Sequence, residues 1–196
     1  MEICDDRVVL REFQIDDWEA IHRVTSRPEV CRYQPWGPSS PEETRAYVQA
    51  VLQTREVAPR MEYTLTAVLR EPGELVGYGS LWLRNHEFRC GEIGFFLRPE
   101  SWGQGLDTEI AALLLECAFE HFQLHRVYAT CDPRNAGSDR VLRKIGMSYE
   151  GHLRHTILIR DGWRDSYVFG MLENEWDQGD ELVSEAKISD WQRARK

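Results

Sequence analysis

Apolar residues fill nearly every position from Cys90 to Leu97, with Glu92 the one acid among them, and this predicts a strand covered on both faces. After a loop through Gly103 and Gly105, residues Leu106, Ile110, Leu113, Leu114, Cys117 and Ala118 recur at helical spacing, so a helix from Leu106 to Phe122 packs on the sheet. Earlier in the chain, Val8 to Phe13 reads as a short strand, Asp16 or Asp17 can cap a helix running to about Ser26, and Pro28 to Tyr33 looks like a further helical turn. Ser40-Pro41-Glu42-Glu43 has the form of a capping box with proline at the first helical position, opening a helix to about Val57. Met61 to Leu69 and Leu75 to Leu83 form a hairpin about the turn Glu71 to Glu74. His125 to Cys131 is another strand, and Ala136 to Ile145 is a helix ended by Gly146. Met147 to Ile159 then pairs with Trp163 to Leu172 around Arg160-Asp161-Gly162, with Gly151 marking a bulge. The tail from Asp177 to Lys196 is polar, and its Leu182, Val183, Ala186, Ile188 and Trp191 allow a weak docking helix or no ordered structure. The order β-α-α-β-β-β-α-β-α-β-β predicts one mixed α/β domain over residues 1–176, followed by that tail.

A chain of 196 residues, 42% hydrophobic and 29% charged, supports a single substantial core. Lys and Arg number 24 against 33 Asp and Glu, a net charge of −9 with no basic block. That balance disfavours nucleic acid and anionic membranes as partners and tilts slightly towards a cationic substrate. The cysteines Cys4, Cys31, Cys90, Cys117 and Cys131 lack metal-binding spacing, so reduced, mostly buried thiols and no metal site are expected. With no apolar signal region and no run near the ~20 apolar residues that cross a bilayer, a cytoplasmic location is expected.

Two features carry candidate chemistry. Gly103 and Gly105 let the backbone bend and approach a ligand just where a helix begins, and the unpaired N–H groups of that first turn can cradle phosphate; a tight strand-to-helix turn needs the same glycines. Glu92, an acid inside an apolar strand, is placed either to take up a proton, with burial raising its pKa, or to accept hydrogen bonds or pair with an arginine. Asn135 and Ser138 stand where the helix from Ala136 would be capped. Tyr149 and Tyr167 are proton donors by type, though strand tyrosines more often pack.

Taken in order, several pieces resemble the GNAT N-acyltransferases of the RimJ/RimL ribosomal-protein acetyltransferase type over residues 7–176. They are Leu10-Arg11; Pro28-Glu29-Val30 with Pro35-Trp36-Gly37; Glu92-Ile93-Gly94; the run from Arg98 to Gly105; Asp132 to Ser138 with Lys144 to Met147; Gly162; and Glu175-Trp176. The resemblance implies a mixed central sheet of about seven strands flanked by helices, splayed to form an acetyl-CoA cleft between the Glu92 strand and the strand ending at Cys131. The backbone of Phe95, Phe96 and Leu97 would pair with the pantetheine arm, and the amides of Gly103, Gln104, Gly105, Leu106, Asp107 and Thr108 would hold the pyrophosphate. Asn135 would contact the pantetheine or shape the sulfur end. Ser138 would sit near the thioester sulfur as a hydrogen-bond donor or weak acid, with Glu92 as base.

Two positions depart from the general family pattern: Glu100, where a basic or amide side chain is usual although an acid is familiar in the RimJ/RimL type, and Asp107, where a small residue is expected and a carboxylate would lie close to the pyrophosphate. The implied acceptor is a primary amine, either a protein N-terminal α-amine or a small molecule such as a polyamine, aminoglycoside or amino acid derivative; a CoA-binding module without turnover is the third reading. The acceptor groove would lie between Tyr33–Trp36 and Arg154–Arg164, with Trp36, Trp82, His155 and Trp163 as candidates. Relatives make a homodimer an expectation by analogy.

Overall fold

The computed structural model describes residues 1–179, so the proposed docking segment of the tail lies outside the described residues. Eight strands form one sheet in the order β1-β2-β3-β4-β5-β6-β8-β7. They are β1 (Glu2–Cys4), β2 (Val8–Glu12), β3 (Glu62–Leu69), β4 (Leu75–Asn85), β5 (Cys90–Leu97), β6 (Arg126–Cys131), β7 (Ser148–Ile159) and β8 (Gly162–Leu172). The expectation of about seven strands missed β1, whose three residues are too few to show an alternating pattern and which takes its place by pairing antiparallel with β2. Helices α1 (Trp18–Thr25), α2 (Pro28–Cys31), α3 (Pro41–Gln53), α4 (Leu106–Glu116), α5 (Ala136–Lys144) and α6 (Glu173–Gly179) complete the described chain.

Strand alternation sends neighbouring side chains to opposite faces of the sheet. Leu65 and Ala67 of β3, Leu81 of β4 and Ile93 and Leu97 of β5 join Ile110, Leu113 and Leu114 of α4 and Leu142 of α5 in the larger core. On the opposite face, Tyr78 packs with Phe13 and with α1 to α3 through Ile21, Val24, Val48 and Val51. Helix α3 starts as expected: Ser40 Oγ accepts from Glu43 N–H at 3.2 Å, and the Glu43 carboxylate accepts from Ser40 N–H at 2.7 Å. The α4 run continues as a π-turn over Cys117–His121, with Phe122 N–H bonded to the Cys117 carbonyl. The register of β7 shifts between Tyr149 and Gly151, the bulge expected at that glycine, and shifts again between Leu153 and Ile157.

Between β5 and β6 the sheet splits. These strands pair in parallel over Cys90–Glu92 against Arg126–Tyr128, and beyond Glu92 no further residues of the two strands pair. β5 continues to Leu97 along β4, while β6 continues to Cys131 along β8. The edges of Ile93–Leu97 and Ala129–Cys131 therefore diverge, and Glu92 sits at the fork.

Candidate active site

A cleft of about 550 Å³ runs through the fork. The α1–α3 side contributes Thr25, Trp36, Thr44 and Tyr47, the strands contribute Glu62, Tyr78, Trp82 and Glu92 to Phe96, and α5 with its lead-in contributes Asp132, Asn135 and Ser138. The strand register explains the floor. Glu62, Trp82, Glu92 and Tyr128 stand opposite one another across β3, β4, β5 and β6, and Thr64, Ser80 and Gly94 form the next row on the same face. Gly94 has a steric reason, since a Cβ there would lie 3.1 Å from the Trp82 indole.

Glu92 is half-buried and engaged. Its Oε2 accepts from Arg84 Nε at 2.8 Å and from the Tyr128 hydroxyl at 3.1 Å, and Arg84 Nη2 lies 2.7 Å away. The arginine pairing weighed from sequence is thus present, within the cleft. Burial and the adjacent Glu92 charge push the Tyr128 hydroxyl up. Neither Arg84 nor Tyr128 was singled out from sequence; each is found through strand register, Tyr128 opposite Glu92 and Arg84 two residues beyond Trp82.

The start of α5 is built by side chains capping backbone. Buried Asp132 accepts from Arg134 N–H at 2.8 Å and from its guanidinium at 2.7 Å and 3.0 Å, while the Asp132 carbonyl accepts from Asn135 N–H. Burial alone would raise the Asp132 carboxyl, but these contacts hold it below the usual range. Asn135 Oδ1 accepts from Ser138 N–H at 3.2 Å, which fixes the amide so that its Nδ2 donates to Ser138 Oγ at 3.0 Å. Asn135 caps the helix and also lines the cleft. Ser138 Oγ receives that bond as acceptor, so its own hydrogen can donate to a ligand.

Phe95 and Phe96 line the cleft. Leu97 differs: it is buried in the larger core, does not line the cleft, and its carbonyl accepts from the Trp102 indole at 2.9 Å because Pro99–Ser101 turns the chain back over it. The loop from Gly103 to Thr108 also stands outside the cleft lining, at the start of α4. Gly103 and Gly105 have φ of 71° and 81°, the left-handed region that favours glycine. Thr108 and Glu109 N–H turn inward onto the Gly105 carbonyl, whereas those of Gly103, Gln104, Gly105, Leu106 and Asp107 donate to no backbone carbonyl among the described residues. These are the groups that could hold an anion.

Around this loop, Glu100 pairs with Arg27 at 3.1 Å, and Gln104 Nε2 donates to the Glu100 carbonyl. Asp107 is half-buried, and burial pushes its carboxyl up against a smaller contact with its own N–H. Of the acceptor candidates, Trp36 and Trp82 line the cleft, while His155 and Trp163 stack on each other on the exposed part of the hairpin. Tyr149 and Tyr167 pack edge to face.

Residues 7–148 match the family described as acetyltransferase (GNAT) domain, and the chain belongs to that family of acyl-transferring enzymes. It is 33% identical to an uncharacterized N-acetyltransferase of Bacillus subtilis, YnaD, over 90% of this chain and 100% of that one. It is 27% identical to spermidine N(1)-acetyltransferase of Escherichia coli over 86% and 88% of the two chains. Among solved structures, a GNAT-family acetyltransferase from Bacillus anthracis superposes with a TM-score of 0.78 at 33% identity, covering 89% of this chain and 99% of the other.

Proposed function

We propose that this chain transfers the acetyl group of acetyl-CoA to a primary amine by direct attack in a ternary complex. The observation that carries the reading is the fork: two diverging strand edges, with an acid at their junction and a free hydroxyl hydrogen on the opposite wall. Acetyl-CoA supplies a thioester activated for acyl transfer. The backbone of Phe95 and Phe96 is the free strand edge for its pantetheine arm, and the N–H groups of Gly103 to Asp107 suit its pyrophosphate. Leu97 is left out, since its carbonyl is already used.

The amine nitrogen attacks the carbonyl carbon, the carbon–sulfur bond breaks, and the surplus proton of nitrogen must leave. Glu92 receives that proton. Arg84 and Tyr128 both bind Oε2, which orients the carboxylate and leaves Oε1 for the amine. Ser138 donates to the departing sulfur as charge develops there, its position fixed by Asn135. The RimJ/RimL-type resemblance favours a protein N-terminal α-amine as acceptor, and the likeness to the spermidine N(1)-acetyltransferase favours a small amine. Titration with acetyl-CoA or CoA is expected to raise Tm through preferential binding to the folded chain. An unchanged Tm with both ligands would remove the phosphate-cradle reading and every reading built on it.

A further inference from the structure

The cleft face of the sheet carries charges whose partners can be followed one by one. Arg84 pairs with Glu92, and Asp132 with Arg134. Arg164, buried, also lines the cleft; its Nη atoms donate to the Tyr33 carbonyl at 2.7 Å and to Ser166 Oγ at 2.8 Å, which makes it a strut between β8 and the segment after α2, and its Nε meets no partner among the described residues. Glu62 is different. Its carboxylate accepts from the Thr64 hydroxyl at 3.2 Å, lines the cleft, and forms no ion pair among the described residues. Arg60, the nearest arginine in sequence, spends its guanidinium on Glu12 and on the Glu62 carbonyl.

A half-buried carboxylate without a cation favours a cationic ligand, and its surroundings are suited to one. Tyr47, Trp82 and Phe96 line the same cleft above buried Tyr78 and give it an aromatic wall against which an ammonium and its methylene chain can lie, as the Arg84 guanidinium already does over the Trp82 ring at 5.3 Å. Glu62, Trp82 and Glu92 are in register across three adjacent strands, so the backbones that carry the two carboxylates stand two strand spacings, about 10 Å, apart with the Trp82 strand between them. The net charge of −9 attracts cations to the whole surface.

We infer that Glu62 determines acceptor specificity and that the preferred acceptor is an aliphatic di- or polyamine, whose second ammonium Glu62 holds while the first reacts at the fork. The inference rests on the acetyl-transfer reading above and deepens it. A monoamine of the same length puts a methyl group against the Glu62 carboxylate, and a peptide N-terminus offers no cation at this spacing unless its sequence supplies one.

Cadaverine and hexylamine have the same number of heavy atoms and differ in that one terminal group. Calorimetric titration of the full chain in excess CoA should show cadaverine binding roughly tenfold tighter, the effect expected of one charge-assisted contact. Glu62→Gln should collapse the ratio of the two affinities towards one, and in turnover the same substitution should raise KM for cadaverine far more than it lowers kcat. Equal affinities in the unsubstituted protein, a ratio that survives Glu62→Gln, or tighter binding of an uncharged peptide bearing a free N-terminus would each overturn the assignment. The wild-type comparison decides even if the variant fails to fold. Failure of acetyl transfer itself is read separately, as no thiol release from acetyl-CoA with any amine.

Discussion

Asp107, half-buried, and Asp132, buried, are acids whose environments act in opposite directions. Burial raises the Asp107 carboxyl. A group with a raised folded-state pKa adds stability when protonated, below the ordinary carboxylate range near about pH 4, and loses that contribution as pH rises through its folded value. Asp107→Asn is therefore expected to raise Tm at about pH 7 and not at about pH 4. It should also tighten CoA binding severalfold by removing a charge beside the anion-holding amides; unchanged affinity by calorimetry would show the carboxylate directed away from the ligand.

Asp132 behaves in the reverse sense. Burial opposes its charge, but Arg134 holds its pKa down, so its contribution is present above the unfolded value and is lost as pH falls through the folded one. Asp132→Asn should cost about 2 kcal/mol near neutrality, less than a fully buried pair because Arg134 is 54% exposed, and the deficit should shrink in acid. Urea unfolding at two pH values checks both statements. For Glu92, replacement by Gln should lower kcat/KM about a hundredfold at and below neutral pH, with a smaller loss at high pH where the amine is already neutral. An unchanged pH profile would count against its role as base.

Among the elements, β5 and β6 make the site by parting after Glu92. The bounds of β5 were legible because its run is almost wholly apolar, but it is not covered on both faces as expected, since the face of Glu92, Gly94 and Phe96 lines the cleft; α3 was legible because its capping box is local chemistry. Each failure has its own cause. β1 is too short for periodicity, the π-turn after α4 adds one residue to a turn without disturbing composition, and α6 is fixed by distant contacts, Trp176 stacking on Phe119 and bonding Glu120. Sequence singled out Glu92, Phe95, Phe96, Asn135 and Ser138, which the fold brings to one cleft. Glu62, Arg84 and Tyr128 escaped because they reach Glu92 or its row only through cross-strand register, which alternation of one strand does not reveal. The same register gives an element-scale prediction. Gly94→Ala would press a Cβ against the Trp82 indole, so KM for the amine should rise while Tm changes little. A collapse of Tm instead, seen by calorimetry, would mean that the indole cannot move.

At the scale of the molecule, an α/β/α sandwich supplies two rigid cores, and the fork opens between their faces. The larger core carries the loop at the start of α4 proposed to hold the pyrophosphate, and the smaller one carries the face proposed to receive the acceptor. On that proposal one ligand enters from each side and the two meet at Glu92 and Ser138. Its most direct test is the release of free CoA thiol from acetyl-CoA by the full chain, with and without a primary amine, with the amine product identified by mass. The account predicts release that depends on the amine and matches, mole for mole, the appearance of the acetylated amine. Thiol release at the same rate without any amine, or none across di-, poly- and peptide amines, would contradict it.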